Sequence, residues 1–416
     1  MREMKDSGIS YVGNIPRNWE QHPVYYYFYE GKKPNRACKE ENLLSLSYGK
    51  VIRKDINTNE GLLPASFSTY NIVDENDIII RPTDLQNDKR SLRTGLVKEH
   101  GIITSAYIDL KPKNGVNSHY YHYLLHAYDV MKVFYNMGNG VRQGLNYSEF
   151  SKLVLITPPA EEQEKISSFL DKECAKIDSI YFDVEKQIET LEKYKRSVIT
   201  ETVTKGLNPQ AQIEEADNQW FRCLPSHWGK SRIASVYRLR NTKVSDRDYM
   251  PLSVTMKGIL PQLETAAKTD AHDDRKLVKK GDFAINSRSD RRGSCGIAPC
   301  DGSISLINIV LCPLKNMNPT YYNWLFHTVE FADEFYKWGH GIVDDLWTTT
   351  WQEMKNIIIP MPPIEEQEEI ADYLDKKCAE IDSVIADKKK QLEVLDNYKK
   401  SLIYEYVTGK KEVVNE

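Results

Sequence analysis

The chain has 416 residues, 40% apolar and 28% charged, with a net charge of −4, which is enough for two or three domains with cores of their own. No apolar run approaches the roughly 18 residues of a membrane span, the charged start MREMKDSG does not read as a secretory leader, and seven cysteines without a Cys-x-x-Cys pair exclude a disulfide framework. The expected setting is the cytoplasm, without a membrane partner.

In chain order, Tyr25-Tyr26-Tyr27-Phe28-Tyr29 reads as a buried strand beside a core, although aromatic faces also stack on bases. Asp77 opens the apolar strand Ile78-Ile79-Ile80, and a polar, Arg-rich loop follows with Arg81, Thr83, Lys89, Arg90, Arg93 and Thr94. Arg offers a planar donor fork suited to guanine edges or phosphates, and neighbouring hydroxyls and amides can position the backbone. A strand at Tyr107-Ile108-Asp109-Leu110 and a helical segment with Tyr120-Tyr121 come next. His119, His122 and His126 have helical spacing for a metal, but Thr320, Asn323 and His327 stand at the matching later positions, so a packing role is expected. The loop Gly138-Asn139-Gly140, with Arg142 and Gln143, leads to a last strand. It does not precede a helix in a βαβ setting, which argues against a dinucleotide fingerprint.

Residues 158–204 then read PPAEEQEKISSFLDKECAKIDSIYFDVEKQIETLEKYKRSVITETVT, and residues 362–408 repeat this with 27 of 47 positions identical. Leu170, Cys174, Ile177, Tyr181, Val184, Ile188 and Leu191 recur at steps of four and three, as do Leu374, Cys378, Ile381, Ile385, Lys388, Leu392 and Leu395. This is the spacing of a coiled-coil seam. The Pro pairs set the start, the acids at 161, 162, 365 and 366 meet the positive end of the helix dipole, and Gly206 and Gly409 mark the stops. Antiparallel pairing would place the globular halves at opposite ends of a rod, whereas two surface helices packed only on their own halves is the plainer alternative. Lys195 and Lys399 in the stripe are expected to weaken the seam and to mark where it opens. Segment 159–204 carries eleven acidic and seven basic residues, segment 363–408 twelve and seven, so the modest basic excess lies on the globular halves.

The duplication extends into those halves. Ile15-Pro16-x-x-Trp19 matches Leu224-Pro225-x-x-Trp228, and Asp282-Phe283-Ala284-Ile285 repeats the acid-opened strand. A second Arg-rich loop follows it, with Ser287, Arg288, Arg291, Arg292 and Ser294. Two loops at one point of a repeat, alike in Arg content and different in nearly every residue, are what two readers of different DNA sequences would carry. The expected fold is α+β or α/β: two tandem modules, 1–158 and 209–362, each followed by a long helical segment, 159–208 and 363–416, as an internal pseudo-twofold duplication. There is no P-loop, no His-Glu-x-x-His, no nucleophile elbow and no Asn-Pro-Pro-aromatic run.

Two variable modules closed by Pro-Pro-x-x-Glu-Gln-x-x-Ile-x-x-x-Leu helices, present as Pro159, Glu162, Gln163, Ile166, Leu170 and as Pro363, Glu366, Gln367, Ile370, Leu374, resemble the specificity subunit of type I restriction-modification systems. Gly138-x-Gly140-x-Arg142 also fits that family, while Val343 stands where Arg142 would align. The resemblance implies two target recognition domains reading a bipartite double-stranded DNA site. It also implies modification subunits that use S-adenosylmethionine, and restriction subunits that use ATP and Mg, with no cofactor in this chain. A restriction-enzyme fragment with an unrecognised active site and a coiled-coil scaffold without a DNA role are the alternatives.

Overall fold

The structure, a computed structural model, describes residues 2–57, 64, 66–83, 85, 91–137, 144–262, 272–341 and 347–414. It divides into two compact units, residues 1–185 with 390–416, and residues 186–389. Each contains one globular half, the first part of the long helix that follows it, and the last part of the other long helix.

In the first unit a four-stranded sheet runs Phe28–Glu30, Ile108–Pro112, Ile78–Ile80, Thr94–Leu96 in spatial order, every pair antiparallel. In the second, Tyr237–Arg240, Asn308–Pro313, Phe283–Asn286 and Cys295–Ile297 take the same order and direction. Antiparallel pairing makes each module α+β. The acid that opens each central strand has a local task. Asp77 accepts from the Asp74 amide at 2.7 Å and Asp282 from the Lys279 amide at 2.9 Å, closing a turn whose next-to-last residue, Asn76 or Gly281, has positive φ. Helices Ser118–Val130 and Pro319–Phe326 cover the sheets, each capped by an Asn side chain. Of the aromatic run, Tyr27 and Phe28 turn inward, but Tyr25, Tyr26 and Tyr29 are half exposed. One short helical turn, Val24–Tyr27, interrupts the expected strand and breaks its alternation.

The long helices are Ala160–Lys205 and Ile364–Val407. Their repeated motif holds each one to its module by four contacts. Glu162 accepts from the Trp19 indole and Glu366 from the Trp228 indole. Gln163 donates to the Pro158 carbonyl at 2.9 Å and Gln367 to the Pro362 carbonyl at 2.8 Å, both inside the protein. Ile166, Leu170, Ile370 and Leu374 are buried in the respective cores. The far end of the other helix docks on the same module: Tyr120 donates to the Val407 carbonyl in the first unit, and Tyr321 to the Val203 carbonyl in the second. Gly409 has φ 70°, and a Cβ there would stand 2.4 Å from Pro16, so the stop needs glycine twice over.

Within each unit the two helical segments run antiparallel. In the first, Asp178 meets Lys399 and Phe169 meets Tyr406; in the second, Lys195 meets Asp382 and Gln187 meets Lys388. The seam lysines therefore do not open it. Each reaches an aspartate of the facing helix, Lys399–Asp178 at 2.5 Å and Lys195–Asp382 at 2.6 Å. A long flexible stem lets each ammonium reach the carboxylate that the facing helix supplies.

Candidate nucleic-acid interface

The Arg-rich loop of the first unit leaves the sheet at Ile80 and returns at Thr94, its mouth closed by the Arg81 amide donating to the Arg93 carbonyl at 2.8 Å. Arg81 and Thr83 are partly exposed. Arg93 and Thr94 are both fully buried, and this corrects their reading as DNA contacts. The Arg93 guanidinium donates to the Thr83 carbonyl at 2.5 Å and lies over the Tyr135 ring at 5.6 Å, while its backbone amide donates to Asp129. A desolvated guanidinium must be surrounded by acceptors, and these acceptors belong to the loop and its support. Burial also pushes the Asp129 carboxyl above its usual range and the Tyr135 hydroxyl up to about 12. Lys89, Arg90, Asn139, Arg142 and Gln143 lie outside the described residues.

In the second unit the loop is described throughout. Its mouth closes the same way, with the Asn286 amide donating to the Ser294 carbonyl at 2.9 Å. Ser294, at the register position of Arg93, is buried as well, which corrects its reading as a DNA contact. Ser287 donates to the Ile307 carbonyl at 2.5 Å, and Arg288 is partly exposed. The side chain of Arg291 is 68% exposed and that of Arg292 51%. Arg292 pairs with Asp333, and Arg291 projects beside Asp290. Two exposed guanidinia on a short, anchored loop can meet phosphates or a guanine edge.

Among the described residues no group of three or more His, Cys, Asp or Glu could bind a metal ion. His119 instead pairs with Asp171 at 3.0 Å, which raises its pKa, while burial pushes His122 down to about 3 and His126 down to about 4. Sequence reasoning missed Tyr135 and Tyr336, which support the two loops. Their separation of 201 residues equals that of Tyr120 and Tyr321, so the repeat itself carried the signal.

Residues 30–190 and 225–394 each match the type I restriction modification DNA specificity domain, and the chain belongs to that family. It is thus a non-catalytic DNA-specificity subunit with two specificity domains. Among curated proteins it is 26% identical to a putative type I restriction enzyme MjaX specificity subunit of Methanocaldococcus jannaschii, over 72% of this chain and 70% of that one. It is 23% identical to the type I restriction enzyme MjaVIII specificity subunit of the same organism, over 96% and 95%. Its fold is shared with a chain solved in a study of complex assembly and conformational transition of the type I R-M system (TM-score 0.69, 14% identity, 95% and 99% covered). The HsdS subunit from Thermoanaerobacter tengcongensis is also similar (TM-score 0.52, 14% identity, 95% and 98% covered). No helix among the described residues is long and apolar enough to cross a membrane.

Proposed function

We propose that the chain reads a bipartite double-stranded DNA target in the cytoplasm, with residues 1–158 reading one half-site and residues 209–362 the other. The observation that carries this reading is the repeated sheet that presents two Arg-bearing loops from one strand position, with almost no residue in common between them. Arg288, Arg291 and Arg292 with Ser287 contact DNA in the second module. Arg81 and Thr83 do so in the first, together with Lys89, Arg90, Asn139, Arg142 and Gln143. The long acidic helices dock modification subunits, which supply S-adenosylmethionine, and restriction subunits with ATP and Mg join that complex. An acidic docking surface suits this arrangement because it does not compete for DNA.

The test is a module exchange. Residues 1–158 are replaced by the first module of another specificity subunit, the chimera is combined with modification subunits, and methylated sites are mapped by sequencing. One half of the motif should change and the other persist. A change in both halves, or methyl transfer by the purified chain with S-adenosylmethionine alone, overturns the proposal.

A further inference from the structure

Both Arg-rich loops rest on a buried tyrosine at the same place in the repeat. In the first unit the Tyr135 hydroxyl lies 3.0 Å from Asp129 Oδ1 and 3.2 Å from the Ser91 carbonyl, and it accepts from Lys132 Nζ at 2.9 Å and Arg93 Nε at 3.4 Å. Lys132 Nζ and the Arg93 guanidinium also stand over the ring, at 4.3 and 5.6 Å. In the second unit the Tyr336 hydroxyl donates to the Asn286 carbonyl at 3.3 Å, and the guanidinium of Arg292 lies 5.9 Å from the ring centroid. Its own carbonyl accepts from the Trp347 indole at 2.7 Å, and the Trp347 carbonyl in turn accepts from the Ser289 amide at 3.1 Å. The side chains around the two tyrosines share almost nothing, yet each tyrosine grips its loop backbone by the hydroxyl and carries a loop arginine over its face.

We infer that Tyr135 and Tyr336 are positioning residues for base reading, each fixing the backbone at the root of one module's loop, so that Arg81 in the first module and Arg288 and Arg291 in the second meet base edges in register. The inference rests on the proposed DNA-reading role. Neither ring is available to DNA, at 4% and 7% exposure, so any effect on recognition must pass through the loop. Base-edge hydrogen bonds need their donors placed within about 0.5 Å, whereas attraction to phosphate tolerates larger displacements. A loosened loop should therefore lose discrimination before it loses affinity for DNA in general.

The experiment uses the full-length chain, with Tyr135→Phe and Tyr336→Phe made separately. Binding is measured to the mapped target, to duplexes with one substituted base pair in either half, and to unrelated duplex over a range of salt. Tyr135→Phe should reduce discrimination in the half read by residues 1–158 by roughly five- to tenfold, because the hydroxyl's hold on the loop carbonyl of Ser91 is lost. Discrimination in the other half, binding to unrelated DNA and the salt slope should stay as they were. Tyr336→Phe should do the converse. Unchanged discrimination, or equal loss in both halves from either variant, overturns the inference. If the unaltered chain prefers no sequence at all, the DNA-reading role itself falls, and the inference with it. Should Tyr135→Phe fail to fold, Lys132→Met keeps the ring but removes a donor to the hydroxyl, and it must give the same one-sided loss or the inference fails.

Discussion

Replacing Asp109 with Val should stabilise the first unit, and the gain should grow with pH. The Asp109 side chain is fully enclosed, and neither carboxyl oxygen has a hydrogen-bond partner. Burial, with the nearby Asp77 charge, raises its pKa from 3.8 to about 7, and Lys111 at 3.9 Å compensates only in part. The native state therefore holds a proton that the unfolded chain releases, so stability falls as pH rises through the window from 3.8 to about 7. At about 1.4 kcal/mol per pH unit, the charge costs roughly 4 kcal/mol above that window. Valine carries no such charge, and Val310 fills the equivalent strand position in the second unit at full burial. The advantage of Asp109→Val should increase by roughly 3 kcal/mol between pH 5 and 8.5. Trp19 is the only tryptophan in residues 1–185 and 390–416, so fluorescence reports mainly on the other unit. Denaturant-dependent hydrogen exchange of peptides spanning residues 101–112 is the suitable assay. Stability curves for the two proteins that stay parallel across this pH range would refute the reasoning.

Leu374→Ala should cost the second unit about 2–5 kcal/mol, because Leu374 is fully buried in its core; urea unfolding followed by tryptophan fluorescence measures it. Gln367→Ala should cost the same unit about 1–3 kcal/mol by orphaning the Pro362 carbonyl and the Asn318 amide, and Gln367→Glu should not restore the stability. His122 and His126, held down to about 3 and about 4, are neutral in the native protein and bind protons on unfolding, so stability is lost as pH falls below 6.5. His126→Leu should flatten that loss in hydrogen exchange between pH 7 and 5. Arg291→Ala should weaken one half-site by roughly 1–3 kcal/mol for a lost base contact, read as a relaxed position in the methylated motif.

The duplication, the two long helices and the acid-opened strands were legible because each depends on local residues repeated at a fixed spacing. Pro158-Pro159 and Gly206 act on their own backbone, and the seam period shows in any window of two turns. The roles of Arg93 and Thr94 were not legible. Whether a loop arginine faces water or the interior depends on Tyr135, 42 residues on, which takes the Arg93 side chain, and on Asp129, which takes the Arg93 backbone amide. Lys195 and Lys399 misled for a related reason. Charge at a seam position reads as a defect until the facing helix supplies Asp382 or Asp178, and nothing in the local sequence names that partner. Tyr25, Tyr26 and Tyr29 show that aromatic content indicates a strand only where alternation persists.

One comparison between the units shows how residues change together when a scaffold is duplicated. Asp77 and Asp282 hold equivalent strand starts, but their cations come from different strands: Lys111 Nζ at 2.6 Å in the first unit, Arg240 Nε at 2.5 Å in the second. At the register position of Arg240 the first unit has Gly31, where a Cβ would stand 1.9 Å from Asp109 Oδ2. Across from Asp109 and Lys111 the second unit has Val310 and Cys312, and Cys312 Sγ accepts from Arg240 at 3.4 Å. The sets Gly31, Asp109, Lys111 and Arg240, Val310, Cys312 are thus alternatives whose members do not mix. Gly31→Arg alone should destabilise the first unit by more than about 3 kcal/mol, since it drives a side chain into the Asp109 carboxylate. Adding Asp109→Val and Lys111→Cys should recover most of that loss, because the new guanidinium can then pair with Asp77. Denaturant-dependent hydrogen exchange on the single, double and triple variants measures the coupling. If the three effects simply add, the two sets are independent choices and the argument from steric exclusion is wrong.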